Sequence, residues 1–128
     1  MRIARLFTGD DGQAHWDEIE IELVRPDGKL TAFGPEEAAV GVQFAAVPPQ
    51  ATGPWHNAPR RQYLVVLEGT LTLEIGDGTI RAFGPGTAFL VDDLTGQGHR
   101  QPATTESCTV LIAPLSPAAP GDGRDPDR

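Results

Sequence analysis

Residues 62–75 read Gln62-Tyr63-Leu64-Val65-Val66-Leu67-Glu68-Gly69-Thr70-Leu71-Thr72-Leu73-Glu74-Ile75. The first half is an almost continuous apolar run, which predicts a strand that is buried on both faces. The second half alternates apolar with polar residues, which predicts a strand with one buried face. Gly76-Asp77-Gly78 follows, and its Asp-Gly pair favours a tight hairpin turn. This part of the chain therefore predicts β-sheet structure.

Other short apolar segments flank this stretch, and turn residues separate them. Residues 17–23 alternate acidic with aliphatic side chains, which predicts a strand with Ile19, Ile21 and Leu23 on one face. Further strands are predicted at residues 38–47, 55–58, 87–91 and 107–113. Many short strands separated by glycine and proline predict an all-β sandwich or barrel.

The core is expected to contain the only cysteine and most phenylalanines. Cys108 lies in an apolar run, so we interpret it as a small buried side chain and not as a nucleophile. A single cysteine also excludes an intrachain disulfide and a cysteine-rich zinc site. The phenylalanines expected in the core are Phe33, Phe44, Phe83 and Phe89.

Length and charge limit the classes of protein to which the chain can belong. Its 128 residues suffice for one domain, which we place at residues 1–115. Residues 116–128 lack large apolar side chains and are predicted to be a flexible tail. The formal net charge of -8 disfavours nucleic acid and membrane surfaces as partners. Without a membrane-length apolar run or a signal-type segment, a cytoplasmic location is predicted.

Two of the three histidines occupy positions that suggest a pocket. His56 sits in a strand-like segment, and His99 follows a glycine-rich loop. If His56 faces the interior, alternation places Ala58 on the same face, and the next strand presents Gln62 there. Two imidazoles and one amide oxygen would then converge. His15 has no such support and is expected at the surface or in a dimer contact.

The segment from Gly53 to Gly69 resembles the first signature of the cupin family. That signature carries two histidines spaced by one residue, then a glutamate and a glycine. The first histidine corresponds to His56 and the glutamate to Gln62, whereas Ala58 occupies the position of the second histidine.

The segment from Gly84 to His99 resembles the second cupin signature, with His99 as its histidine. The resemblance covers roughly residues 38–113. It implies a cupin-type antiparallel β-barrel, or jelly roll, that binds a small molecule. It also implies a homodimer paired through sheet faces and an N-terminal strand, for which residues 17–23 are the candidate.

The departures from the family pattern bear on metal binding. Ala58 removes one imidazole, and Gln62 replaces a carboxylate by a neutral amide, so affinity for a metal should fall. His56, Gln62 and His99 remain as predicted ligands and catalytic residues for a divalent Zn, Fe, Ni, Cu or Mn ion. Asp92 or Asp93 is the nearest carboxylate that could compensate.

A group of polar and aromatic residues beside the expected barrel opening is predicted to bind substrate. The group comprises Trp55, Asn57, Arg60 and Tyr63. Such residues can recognise a carboxylate, enolate or phenolate on a planar ligand. The alternative is that Arg60 and its neighbour Arg61 form exposed ion pairs with the abundant acids.

Three functions therefore stay open. The first is a metal-dependent isomerase, cyclase or dioxygenase that acts on an organic acid, a carbonyl compound or an aromatic intermediate. The second is a metal-free cyclase or isomerase in which His56 or His99 moves a proton and Gln62 holds the substrate oxygen. The third is a ligand-binding module without turnover.

Overall fold

The computed structural model describes residues 1–117, which form eight strands and no helix. The strands are β1 (Arg2–Thr8), β2 (Ala14–Glu20), β3 (Gln43–Val47), β4 (Gln62–Glu68), β5 (Leu71–Glu74), β6 (Ile80–Phe83), β7 (Ala88–Asp92) and β8 (Cys108–Pro114). The predicted all-β class is confirmed. Within the described part of the chain, no helix is long and apolar enough to cross a bilayer. Of the predicted tail, residues 118–128 lie outside the described residues.

The strands form two sheets that pack face to face as a jelly roll. The larger sheet has the order β2-β1-β7-β4-β8-β3, and the smaller consists of β5 and β6. Two details refine the expected antiparallel barrel. The β1 strand runs parallel to β7, and the large sheet ends at β2 and β3 without closing. The small sheet has only two strands of four residues, too few to bridge both edges of the larger one.

The core lies between the two sheets. Leu6, Val66 and Phe89 of the large sheet are fully buried, and Leu71 and Phe83 of the small sheet pack against them. The rings of Phe83 and Phe89 stack with their centroids 4.1 Å apart. Cys108 is buried in this core, as predicted.

Strand alternation also exposes some apolar residues. Phe33 and Phe44 are 56% and 74% exposed, so their expected place in the core is wrong. Phe44 points outward from the edge strand β3, while Phe33 lies in the irregular segment between β2 and β3. Periodicity shows which residues share a face, but it does not show that an edge strand leaves that face uncovered.

The predicted strands differ from the observed ones mainly at their ends. The stretch 62–75 contains β4 and β5, and the predicted Asp77-Gly78 turn joins β5 to β6. The strand predicted at 17–23 ends at Glu20, and the one predicted at 38–47 begins at Gln43. Residues 55–58 form only one isolated bridge, at His56, and this bridge builds the site described next.

Candidate functional site

A cavity of about 160 Å³ lies between the sheets. Aliphatic side chains from both sheets form most of its wall, among them Ala45, Val47, Leu64, Leu73 and Val110. Its polar lining groups are His56, Gln62, His99 and Gln101. The structure therefore brings together the three residues that the sequence predicted to converge, in a chamber whose other lining residues, apart from Gln101, are apolar.

Backbone pairing brings the two histidines side by side. His56 and His99 form an antiparallel bridge in which each amide donates to the other's carbonyl oxygen at 2.9 Å. Gly98 makes this pairing possible because its φ is +76° and a Cβ there would lie only 2.0 Å from the His56 carbonyl oxygen. Any other residue at this position would push the His99 loop away from His56.

Gln62 reaches the cavity from the first residue of β4. Leu64 lines the same cavity two residues later, as strand alternation requires. Ala58 also lines the cavity and is buried, so the position that carries a second histidine in the cupin signature faces the chamber.

The hydrogen bonds of the two imidazoles assign their tautomers. The rings lie 4.5 Å apart between centroids. His56 Nδ1 lies 3.1 Å from the Pro54 carbonyl oxygen, and His99 Nδ1 lies 2.5 Å from Asp93 Oδ2. A carbonyl oxygen and a carboxylate are the usual acceptors of an imidazole N–H, so we assign the proton of each neutral ring to Nδ1. Both Nε2 atoms then keep a lone pair for a metal ion or a proton.

Asp93 orients the His99 ring through its Nδ1 atom, and Asp93 itself does not line the cavity. Its side chain is fully buried, and Oδ1 has no hydrogen-bond partner among the described residues. Asp92 is also buried, and its Oδ2 lies 3.8 Å from Arg61 Nε. Neither carboxylate therefore takes the compensating position in the chamber that the sequence left open for it.

The available donor atoms suit a divalent ion of intermediate hardness, such as Zn²⁺. Among residues 1–117 no group of three or more His, Cys, Asp or Glu side chains could hold a metal. The chamber instead offers two imidazole nitrogens and the amide oxygen of Gln62. Imidazole suits Zn, Cu, Fe and Ni, and metal-binding histidines typically donate their other N–H to a carboxylate or carbonyl oxygen. His56 and His99 both meet that condition, so these residues fit a metal whose shell is completed by water.

The residues predicted to bind substrate do not line the chamber. Trp55 packs under the guanidinium of Arg100, which lies 4.4 Å from the indole centroid. The Asn57 amide donates to the carbonyl oxygens of Thr95 and Gly96 at 2.9 and 3.1 Å. Both residues thus fasten the segments that carry His56 and His99, which is a structural contribution to the site.

The other two predicted substrate-binding residues point elsewhere. Arg60 is exposed to solvent. Tyr63 faces the outer side of the sheet, since it alternates with Gln62, and its hydroxyl donates to Glu37. Arg61 also pairs with Glu37, at 3.1 Å, but these side chains are only 16% and 25% exposed, so the pair is not the exposed one that the sequence predicted. A larger open groove of about 990 Å³ beside Tyr63 contains none of the histidines.

Gln101 is a lining residue that the sequence reasoning missed. It lies two residues after His99, and its side-chain oxygen accepts a hydrogen bond from the Gln50 amide. The available signal was the spacing, because a strand that points His99 inward also points Gln101 inward. The predicted surface position of His15 is correct, and His15 Nε2 lies 2.9 Å from Asp11.

The chain matches one protein family and is similar to several solved structures. The Cupin domain family matches residues 43–113, more than half of the chain. No curated protein matches the sequence. Among solved structures, protein NMB1881 of Neisseria meningitidis is 20% identical, with a TM-score of 0.45, and the alignment covers 76% of this chain and 84% of that one.

Two further structures are similar at the same level. The polyketide cyclase RemF of Streptomyces resistomycificus is 24% identical, with a TM-score of 0.48, over 70% of this chain and 65% of that one. An RmlC-like cupin family protein of Methanocaldococcus jannaschii, with a double-stranded β-helix fold, is 16% identical, with a TM-score of 0.48, over 76% and 91%.

Proposed function

This chain belongs to the cupin family, and we propose that it is a small-molecule enzyme whose reactive centre is the cavity between its sheets. One observation carries the proposal. Two adjacent imidazoles line an apolar chamber, and each has its Nδ1 engaged by an oxygen atom, so that both Nε2 lone pairs are available. Adjacent nitrogen donors of this kind are suited to a metal or to proton transfer.

In this proposal His56, Gln62 and His99 hold a divalent metal ion. When bound, such an ion stabilises negative charge that develops on a carbonyl or enolate oxygen. The chain itself contributes orientation and exclusion of water. Asp93 holds the His99 ring in place, and the aliphatic wall keeps water to the side of the chamber where His56 is exposed, which strengthens electrostatic interactions deeper inside.

The donor set favours isomerisation or cyclisation over dioxygenation. Non-haem iron oxygenases typically use two histidines and one carboxylate on one face of the metal. No carboxylate of the described residues lines this chamber. We therefore assign the substrate to carbonyl or enol compounds in which a proton or a double bond changes position. This choice keeps the isomerase and cyclase types that the sequence predicted.

Cobalt titration tests the proposal. Chelator-treated protein is titrated with Co²⁺ and followed by visible absorption and calorimetry. We expect one site per chain in the wild type and none in His56→Ala/His99→Ala. His15→Ala is the matched control, because His15 lies outside the chamber, and it should bind as the wild type does. Full binding by the double variant would reject the assigned ligands.

A second candidate is favoured by the Asp93–His99 pair. A buried carboxylate that accepts from Nδ1 is the arrangement that orients a histidine base in other enzymes. In this case His99 Nε2 takes a proton from the carbon next to a carbonyl group, and the electron pair of that C–H bond forms the enolate. Return of the proton to a carbon atom restores the base and gives the isomer.

Proton exchange without metal tests this candidate. Acetophenone is incubated in D₂O with chelator-treated protein, and loss of its methyl proton signal is followed by NMR. Exchange that depends on His99 supports the metal-free enzyme, while exchange that appears only after metal is added supports the first candidate. If acetophenone binds but never exchanges, the ligand-binding module becomes the better description.

We also propose a homodimer. Large apolar side chains are exposed on the segment from residue 23 to residue 44, including Leu30 at 95% and Phe44 at 74%. Exposed apolar patches of this kind favour association. Light scattering coupled to gel filtration should give twice the chain mass, and Phe44→Glu should lower it. The predicted cytoplasmic location and the predicted absence of nucleic-acid and membrane partners stay predictions.

A further inference from the structure

We propose that the ligand of the cavity is a compact and largely apolar molecule, about the size of one carbon ring, whose oxygen accepts a hydrogen bond from the Gln101 side chain. This inference rests on the proposed function in taking the same cavity as the binding site. It adds a size limit, a polarity pattern and a recognition residue.

The size limit follows from the cavity volume. The chamber measures about 160 Å³. An engineered protein cavity of roughly 150 Å³ is filled by one benzene molecule. A fused polycyclic compound exceeds this volume, so either part of it stays outside in solvent and gains less from burial, or the walls must yield at a cost in stability. A single ring with a short substituent therefore fits.

The polarity pattern follows from the distribution of lining groups. Leu64, Leu73 and Val110 represent the aliphatic wall, while the polar side chains of the lining are limited to the two histidines and the two glutamines. No Lys or Arg among the described residues lines the chamber. A molecule with many hydroxyl groups would leave several of them without partners, which is costly in an apolar site.

Gln101 supplies a defined hydrogen-bond donor. The Gln50 side-chain amide donates to Gln101 Oε1, which assigns the amide orientation of Gln101. The two hydrogens on Gln101 Nε2 are then the ones left for a ligand. A carbonyl or hydroxyl oxygen is their complement, so Gln101 is a recognition residue and the ligand carries such an oxygen.

Binding of two aryl ketones tests the inference. Acetophenone and 2-acetylnaphthalene carry the same acetyl group on one ring and on two fused rings. Titrations of labelled protein followed by NMR should show saturable acetophenone binding and at least roughly tenfold weaker binding of the naphthalene compound. Gln101→Met removes the donor while keeping the length, and it should weaken acetophenone binding roughly fivefold.

Two alanines of the same strand provide a matched pair of variants. Ala45 lines the chamber, while its neighbour Ala46 is exposed on the other face of β3. We expect Ala45→Ile to weaken acetophenone binding at least roughly tenfold by filling the cavity, and Ala46→Ile to leave it unchanged. Val47→Ile, which adds one carbon atom to the same wall, replaces Ala45→Ile if that variant does not fold.

The inference is overturned if acetophenone shows no saturable binding, or if 2-acetylnaphthalene binds as tightly. It is also overturned if Ala45→Ile, or Val47→Ile in its place, binds like Ala46→Ile, or if Gln101→Met binds like the wild type. Because the readout is binding alone, such a result leaves the roles of His56 and His99 to the cobalt titration. A failed cobalt titration with intact ketone binding rejects the metal site only.

Discussion

Replacement of Asp93 by asparagine should weaken metal binding by a factor of about 10 to 100. Asp93 is fully buried, and its carboxylate accepts from His99 Nδ1 at 2.5 Å. A hydrogen bond to a charged group contributes roughly 1.5 to 3 kcal/mol, and 1.4 kcal/mol is about one factor of ten in affinity. Comparable losses follow when the outer partner of a metal-binding histidine is removed.

The amide keeps the volume of the carboxylate but changes its hydrogen bonding in one of two ways. If its oxygen faces His99, the ring stays in place and loses only the negative charge behind it. If its nitrogen faces His99, the proton of the ring moves to Nε2, and the lone pair that would bind the metal is lost. Both arrangements lower the affinity.

Competitive titration of Asp93→Asn with Co²⁺ measures the effect, and thermal unfolding shows whether the variant is folded. Asp11→Asn is the matched control, since Asp11 also contacts an imidazole but does so at the surface, with His15 at 2.9 Å. It should bind cobalt like the wild type. A folded Asp93→Asn variant with wild-type affinity would refute the reasoning that Asp93 determines the state of His99.

Three further predictions concern the site and the core. Ala58→His should raise cobalt affinity at least roughly tenfold, because Ala58 lines the chamber and the new side chain adds a third imidazole; unchanged affinity in calorimetry would contradict this. Gly69→Ala should lower the free energy of unfolding by more than about 1 kcal/mol in urea titrations, because its φ is +74° and its Cβ would lie 2.4 Å from the Ser107 carbonyl oxygen. Gly78→Ala, with φ at +89° and open space around it, should cost less, and an equal loss would rule out the crowding argument. Burial raises the pKa of the Cys108 thiol, so iodoacetamide should label it far more slowly in native protein than in urea at pH 8, and equal rates would show that it is accessible.

The central strands were predictable because most of their residues are at least partly buried on both faces, which favours an apolar composition. Strands β4 and β8 lie inside the large sheet and carry long apolar runs. Strand β1 was missed, since it contains Arg5, which is buried but paired with Asp17 on β2. A partly buried ion pair between neighbouring strands has no periodic signal in the sequence.

The site was predictable as far as motif spacing reaches. The cupin spacing located His56, Gln62 and His99 correctly in one chamber. The spacing did not show whether Asp93 would line the chamber as a possible metal ligand or hydrogen-bond to His99 from outside it. The position of Asp93 depends on how the loop before His99 folds. The spacing also did not show that Trp55 lies outside the chamber lining, because sequence does not show which side of an irregular segment faces solvent.

The backbone bridge between His56 and His99 also determines how far apart the two imidazoles lie. His56 is solvent-exposed while His99 is buried, so the pair spans the chamber from its mouth to its interior. Two reciprocal backbone hydrogen bonds join these two residues, and the amides of Gly53 and Ala58 donate to the carbonyl oxygens of Gln101 and Asp93 on either side. A change in the backbone pairing of these two segments would therefore also change the separation of the two imidazoles, whose centroids lie 4.5 Å apart.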